Sequence, residues 1–229
     1  MKLTFKRMLL ISIQIGLPQV LVSKELIGPD VTTWTSAFFK QPVVGPVWIG
    51  KTNVDGDAQG SPKTHGGPEK AVCAYPVEHY SYWQNQLDLK ELMYGAFGEN
   101  FTLEGQLEDS CCIGDSVRFG EAVLQISQPR PPCWRLARWW QRKDFAARME
   151  ETGRTGWYCR VLKEGYAEAG TAIELLERPY PEWTVSLANH LVYGSGASLE
   201  QMGAMASSCG LLSESWRESL LKRKVRLTG

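Results

Sequence analysis

Over the first three-quarters of the chain the apolar positions fall in short runs of period two, the spacing of a strand with one buried face. Leu9 to Ile15 is the first, with Ile11, Ile13 and Ile15 alternating against Ser12 and Gln14. Val20 to Glu25 and Thr33 to Phe39 follow. In Val43 to Ile49, Gly45 and Pro46 predict a broken or bulged strand. Ala71 to Tyr75, Phe101 to Leu103, Trp157 to Leu162 and Ala172 to Leu176 also read as strands. Val117 to Phe119 and Ala122 to Gln128 form a hairpin across Gly120-Glu121. Helical spacing intrudes at two places. One starts behind Pro76 and runs to about Leu87; the other is Phe145 to Glu151, with Gly153 placed to cap its end. Many short strands with Gly and Pro punctuation predict a closed or nearly closed β-barrel.

The pattern changes near Arg178-Pro179-Tyr180-Pro181. Beyond it Thr184, Ser198 with Gln201, and Ser213 are placed to cap three helices, reaching about Val192, Ser208 and Lys224. The expected fold is therefore mainly β with α: a β-barrel domain over residues 1–178 and a small C-terminal three-helix domain over 179–229.

Composition narrows the function classes. The 229 residues are 43% hydrophobic with zero formal net charge, so nothing global points to nucleic acid or an acidic membrane. The tail carries five basic and four acidic residues from Pro179 on, too even for a DNA-reading face around Gly210. No apolar run approaches the ~18 residues of a membrane span. Lys2, Lys6 and Arg7 precede Met8 to Leu17 as in a signal peptide, but Ser12 and Gln14 interrupt the apolar run and no A-x-A site follows. Six scattered Cys without a CxxC pair suit a reducing, cytoplasmic compartment.

The stretch richest in chemistry is Ser127 to Arg135, SQPRPPCWR. Pro129, Pro131 and Pro132 fix φ and remove amide donors, so the strand should run out into a stiff arm ending at Cys133. From Ser127 to Lys143 there are five basic residues and no acidic ones. A thiol beside guanidinium groups ionises more readily, and the thiolate is both nucleophile and metal ligand. A buried structural Cys behind a proline turn satisfies the same composition. His65-Gly66-Gly67, with Lys70 behind it, can turn backbone amides towards an anion or can be a plain tight turn. Gly98-Glu99-Asn100 offers an amide donor. His79, among Tyr75, Tyr80, Tyr82 and Trp83, reads as packed, and Gly153 to Trp157 as a basic loop or a helix-to-strand connection. No phosphate-binding loop and no G-x-G-x-x-G opening a helix is present.

Taken in order, THGGPEKAVCAYPVEHYSYW, FGENFTLEG, IGDSVRFGEAVLQISQPRPPCWRL and TGRTGWY resemble MOSC-domain proteins of the YiiM type, from about Leu9 to the end. MOSC denotes the molybdenum cofactor sulfurase C-terminal domain. The resemblance implies a barrel of the pyruvate-kinase type and a molybdenum cofactor (molybdopterin). It implies Cys133 as molybdenum ligand; His65 or Lys70, as a titratable group at the same pocket, is expected to supply protons. It implies cofactor phosphate contacts at His65, Gly66 and Asn100; Gly67, Lys70, Gln128, Arg130 and Arg135, close to these or in the basic arm, are expected to complete the cofactor site. Amidoxime-reducing relatives carry small hydroxyl residues where this chain has His65 and Gly66. The implied activity is reduction of small N-hydroxylated compounds such as 6-hydroxylaminopurine, with electrons from a separate reductase partner. No membrane or direct nucleic-acid contact is expected. The alternatives are a cofactor or persulfide carrier without turnover, and a nucleic-acid module using the Trp-rich basic arm.

Overall fold

Leu9–Ile15 forms β1, yet not with the expected face buried. Ser12 and Gln14 are buried along with Leu10 and Ile13. A register shift between Leu10 and Ser12 breaks the alternation, and the Gln14 side-chain amide donates to Thr102 Oγ1 at 3.1 Å. The polar positions of this strand therefore face the interior instead of water, and the Gln14 side-chain oxygen is left there without a partner among the described residues.

The computed structural model describes residues 7–22 and 32–229. Lys2 and Lys6, and residues 23–25 of the second expected strand, lie outside the described residues. The further strands are β2 (Gln19–Val22), β3 (Thr33–Ser36), β4 (Gln41–Pro42), β5 (Val47–Ile49), β6 (Val72–Pro76), β7 (Phe101–Glu104), β8 (Ser116–Phe119), β9 (Ala122–Pro129), β10 (Trp157–Lys163), β11 (Gly165–Ala167) and β12 (Ile173–Glu177). The helices are α1 (Pro62–His65), α2 (Tyr80–Leu87), α3 (Trp134–Trp139), α4 (Phe145–Thr152), α5 (Val185–Tyr193), α6 (Leu199–Ser208) and α7 (Glu214–Thr228). Val43 to Ile49 is indeed interrupted: only Val47–Ile49 is extended, and it pairs with β11 apart from the main sheet. α3, at the end of the proline arm, has no counterpart in the sequence pattern.

The fold is mixed α/β around one large curled sheet in the order β12-β8-β9-β10-β6-β7-β1-β4. Only β6 and β7 run parallel among its pairs. The sheet curls far enough for β1 to meet the entry to β12: Leu10 N donates to Thr171 O (3.0 Å), Gly170 N to Leu10 O (2.7 Å) and Ile173 N to Met8 O (2.9 Å). Beyond Pro179 the three caps fall where the sequence places them. The hydroxyls of Thr184, Ser198 and Ser213 accept from the amides of Leu187, Gln201 and Trp216. One buried apolar cluster runs from Leu10, Phe101 and Leu124 in the sheet into Val185, Met202 and Trp216 of these helices. A second holds Tyr75, Trp83, Phe97, Leu136 and Phe145 beneath α2, α3 and α4.

Candidate functional site

One cleft, about 610 Å³ out to its open mouth, lies where four segments converge. The turn after β3 brings Phe38 and Lys40. The polar loop before β6 brings Asp57, Gln59, Ser61 and His65. Gly98 and Asn100 precede β7, and the arm after β9 brings Arg130, Cys133 and Arg135. Lys70, Cys73 and Tyr158 also line it. Gly98 has φ +74, and a Cβ there would stand 2.9 Å from the Phe38 ring, so glycine lets this turn close against the aromatic wall.

The arm is held from both sides. Arg130 N donates to Gly156 O at 3.1 Å, and behind the strand Ser213 N donates to Ser127 O at 2.9 Å. The Gln128 side-chain oxygen accepts from Ser213 Oγ (2.7 Å) and Ser215 Oγ (2.8 Å). Gln128, expected at the cofactor, is thus turned towards α7 and does not line the cleft; along the pleat it points opposite to its neighbours. Gly66 and Gly67 flank the cleft without lining it. Cys133, half-buried, stands at the start of α3 with the extended backbone usual for the residue that opens a helix. Arg135 and Arg138 cover the Trp134 ring, each guanidinium carbon 4.6 Å from its centroid. Arg154, in the other basic loop, sits over Tyr82 at 4.2 Å, away from the cleft.

Arg130 is only 6% exposed. Its Nη2 donates to Phe97 O, while its Nη1 is buried with no hydrogen-bond partner. A buried guanidinium donor left unpaired costs on the order of 1–3 kcal/mol, which a ligand accepting from it would recover. Burial works against the Arg130 charge, but Cys73, Tyr158, Cys133 and Glu99 around it outweigh that and its pKa lies above the ordinary value. The same cation helps in the opposite sense at His65. Burial first, then Arg130, Arg135 and Lys70, push the imidazole down to about 4. His65 is therefore neutral at pH 7, with one ring nitrogen free to accept. Burial also lowers Lys70, whose Nζ donates to Thr64 O at 3.1 Å. Cys73 is pushed up to about 11, chiefly by burial.

Asn100 reaches the cleft with its amide already engaged. Its Oδ1 accepts from Cys73 N (3.2 Å), and its Nδ2 donates to Asp57 Oδ2 (2.9 Å) and Gln14 O (3.3 Å). Its direct effect is to hold Asp57 in place. Asp57 also accepts from Gly16 N at 2.8 Å and pairs with Lys40 Nζ. This Lys40–Asp57 pair is the part of the cleft that sequence reasoning missed. His79, read as packed, is buried and bonded through Nε2 to Glu108 Oε2 at 2.7 Å.

Residues 61–174 match the MOSC domain. YflK of Bacillus subtilis is 40% identical over 97% of this chain and 97% of its own length. Protein YiiM of Escherichia coli is 36% identical over 83% of this chain and 85% of its own. The chain belongs to the MOSC-domain family. The crystal structure of YiiM from Geobacillus stearothermophilus superposes with a TM-score of 0.77 at 37% identity, covering 95% of this chain and 99% of that one. A protein of Gibberella moniliformis named reductase is 38% identical over 78% of this chain, which covers 32% of the fungal protein's length. The MOSC segment contains His65, Lys70, Cys73, Asn100, Arg130, Cys133, Arg135 and Tyr158; Lys40 and Asp57 come from the chain before it. Among the described residues no helix is long and apolar enough to cross a membrane.

Proposed function

We propose that this MOSC protein is an oxidoreductase that binds a molybdenum cofactor in the cleft and reduces N-hydroxylated compounds, 6-hydroxylaminopurine among them. One observation carries the reading: Cys133 and the buried Arg130, whose Nη1 has no partner, line the same opening. A thiolate is a soft ligand suited to molybdenum, and a guanidinium is suited to the oxygens of an anionic group. The cleft's residues fit such a cofactor. Cys133 would ligate the metal, and Arg130, Arg135 and Lys70 would balance its negative charge. Neutral His65 would accept a hydrogen bond. When bound, the cofactor supplies the two-electron reduction chemistry; the chain's part is to hold it and the substrate and to manage protons.

Electrons would come from a separate reductase. The fungal relative, named a reductase and about three times the length of the matching region, supports a partnership with redox chemistry. The test is expression in a host that makes molybdenum cofactor. Bound molybdenum is then measured together with turnover of 6-hydroxylaminopurine, using dithionite as electron donor. Molybdenum in the wild type, absent from Cys133→Ser, with N–OH reduction only in the former, is the expected result. Stoichiometric molybdenum without turnover would make the protein a carrier.

A further inference from the structure

We propose that Lys40 is the proton donor for N–O cleavage in this cleft, held in place by Asp57 and Asn100; the inference rests on the reductase reading above. The geometry carries it. Lys40 lines the cleft, and its side chain is 7% exposed. Its ammonium makes one protein contact, with Asp57 Oδ1, leaving two N–H hydrogens without a protein acceptor among the described residues. Asp57 is fully buried and immobilised from three sides, by Gly16 N, Lys40 Nζ and Asn100 Nδ2. Asn100 is itself locked to the backbone of Cys73 and Gln14. The ammonium is therefore aimed by a rigid support, as a proton donor in an active site must be.

The other candidates are worse placed for this task. His65, with its pKa near 4, carries no spare proton of useful acidity at pH 7. Lys70 also keeps free N–H hydrogens, but its Nζ is held only by the backbone oxygen of Thr64 and not by a buried, immobilised carboxylate that would aim it. Arg130 and Arg135 do not release protons at any working pH. Cys73 and Tyr158 are buried with raised pKa values, which makes them weak acids. The balance is R–NH–OH + 2e⁻ + 2H⁺ → R–NH₂ + H₂O. The N–O bond breaks as the electrons arrive from the reductase or dithionite. Lys40 Nζ gives up one of the two protons and is recharged from water through the open mouth.

Two variants test this. Lys40→Arg keeps the charge and the contact with Asp57 but cannot give up its proton. The double variant Lys40→Gln with Asp57→Asn keeps a hydrogen bond without stranding a charge. Each is purified with its cofactor, and thermal midpoint, bound molybdenum, KM and kcat are measured with 6-hydroxylaminopurine and dithionite. Wild-type-like molybdenum content and KM, with kcat lowered roughly 10²–10⁴-fold, is expected of every variant that folds and loads molybdenum. A folded, molybdenum-loaded variant of either kind with kcat close to wild type overturns the assignment, as does loss of molybdenum or folding in both. A molybdenum-loaded wild type that shows no turnover instead sinks the reductase reading, and the Lys40 assignment with it.

Discussion

Asp57→Asn isolates the energetics of the buried pair. In the native chain the carboxylate faces Lys40 with both side chains nearly out of reach of water. Asparagine keeps the volume and can still accept from Gly16 N, but it leaves the Lys40 ammonium buried without its counter-charge. Removing one partner of a buried pair costs about 3–5 kcal/mol, and the retained Gly16 contact argues for the lower end. For a chain of this size, about 3 kcal/mol is a fall of roughly 6–12 °C in melting temperature. Adding Lys40→Met removes the stranded charge, so the double variant should be less destabilised than the sum of the singles by about 2 kcal/mol. Urea unfolding of wild type, both singles and the double, followed by fluorescence and circular dichroism, gives the four free energies. Strict additivity, or an Asp57→Asn variant as stable as wild type, would show that Lys40 reaches water and that the pair is not buried in solution.

Three further outcomes are expected. The folded His65 pKa, about 4, lies below its ordinary 6.5, so the unfolded chain takes the proton first; the stability His65 contributes is complete above pH 6.5 and drains away as pH falls towards 4. His65→Asn should flatten that part of the stability–pH curve, and an anion bound at Arg130 should raise the His65 pKa seen by NMR titration. Gly156→Ala should destabilise by more than the ~1–3 kcal/mol of left-handed strain alone, since φ is +67 and the new Cβ would stand 2.3 Å from Ala74 O; thermal denaturation checks it. Cys133→Ser should keep its melting temperature to within a few degrees yet lose bound molybdenum, whereas Ser at Cys111, Cys112, Cys159 or Cys209 should keep the metal, as elemental analysis would report.

Much of the strand order of elements is legible in the sequence because alternation and Gly/Pro punctuation are local signals. Leu9 to Ile15, the hairpin at Gly120-Glu121 and the three capped helices all fall at their expected places. What local patterns cannot give is which face of a strand meets the interior. Ser12 and Gln14 look solvent-facing until a bulge and the Thr102 partner are known. Gln128 looks like a cleft residue until its pleat direction and the Ser213 hydroxyl are known. The basic proline arm was legible because its prolines, charges and thiol are contiguous. The Lys40–Asp57 pair was not, because its members belong to no motif and meet only when Gly16, Asn100 and the polar loop fold together. α3 was hidden by its shortness and by the prolines just before it.

The seam between β1 and the entry to β12 bears on how the chain is made. Leu10 finds its partner at Thr171, 161 residues later, so this edge stays open throughout most of synthesis. At bacterial or eukaryotic elongation rates of about 5–20 residues per second, that interval is roughly 8–32 s. During it β1 can pair with β7 on one side and with β4 at Gln14 and Ile15 on the other, while the Met8–Leu10 end offers free backbone groups to any neighbouring strand. A circular permutant that begins at Gly170, with the old termini joined by a flexible linker, would emerge with residues 170–177 and β1 closer in sequence. Its yield of monomer on rapid translation should exceed that of the natural order.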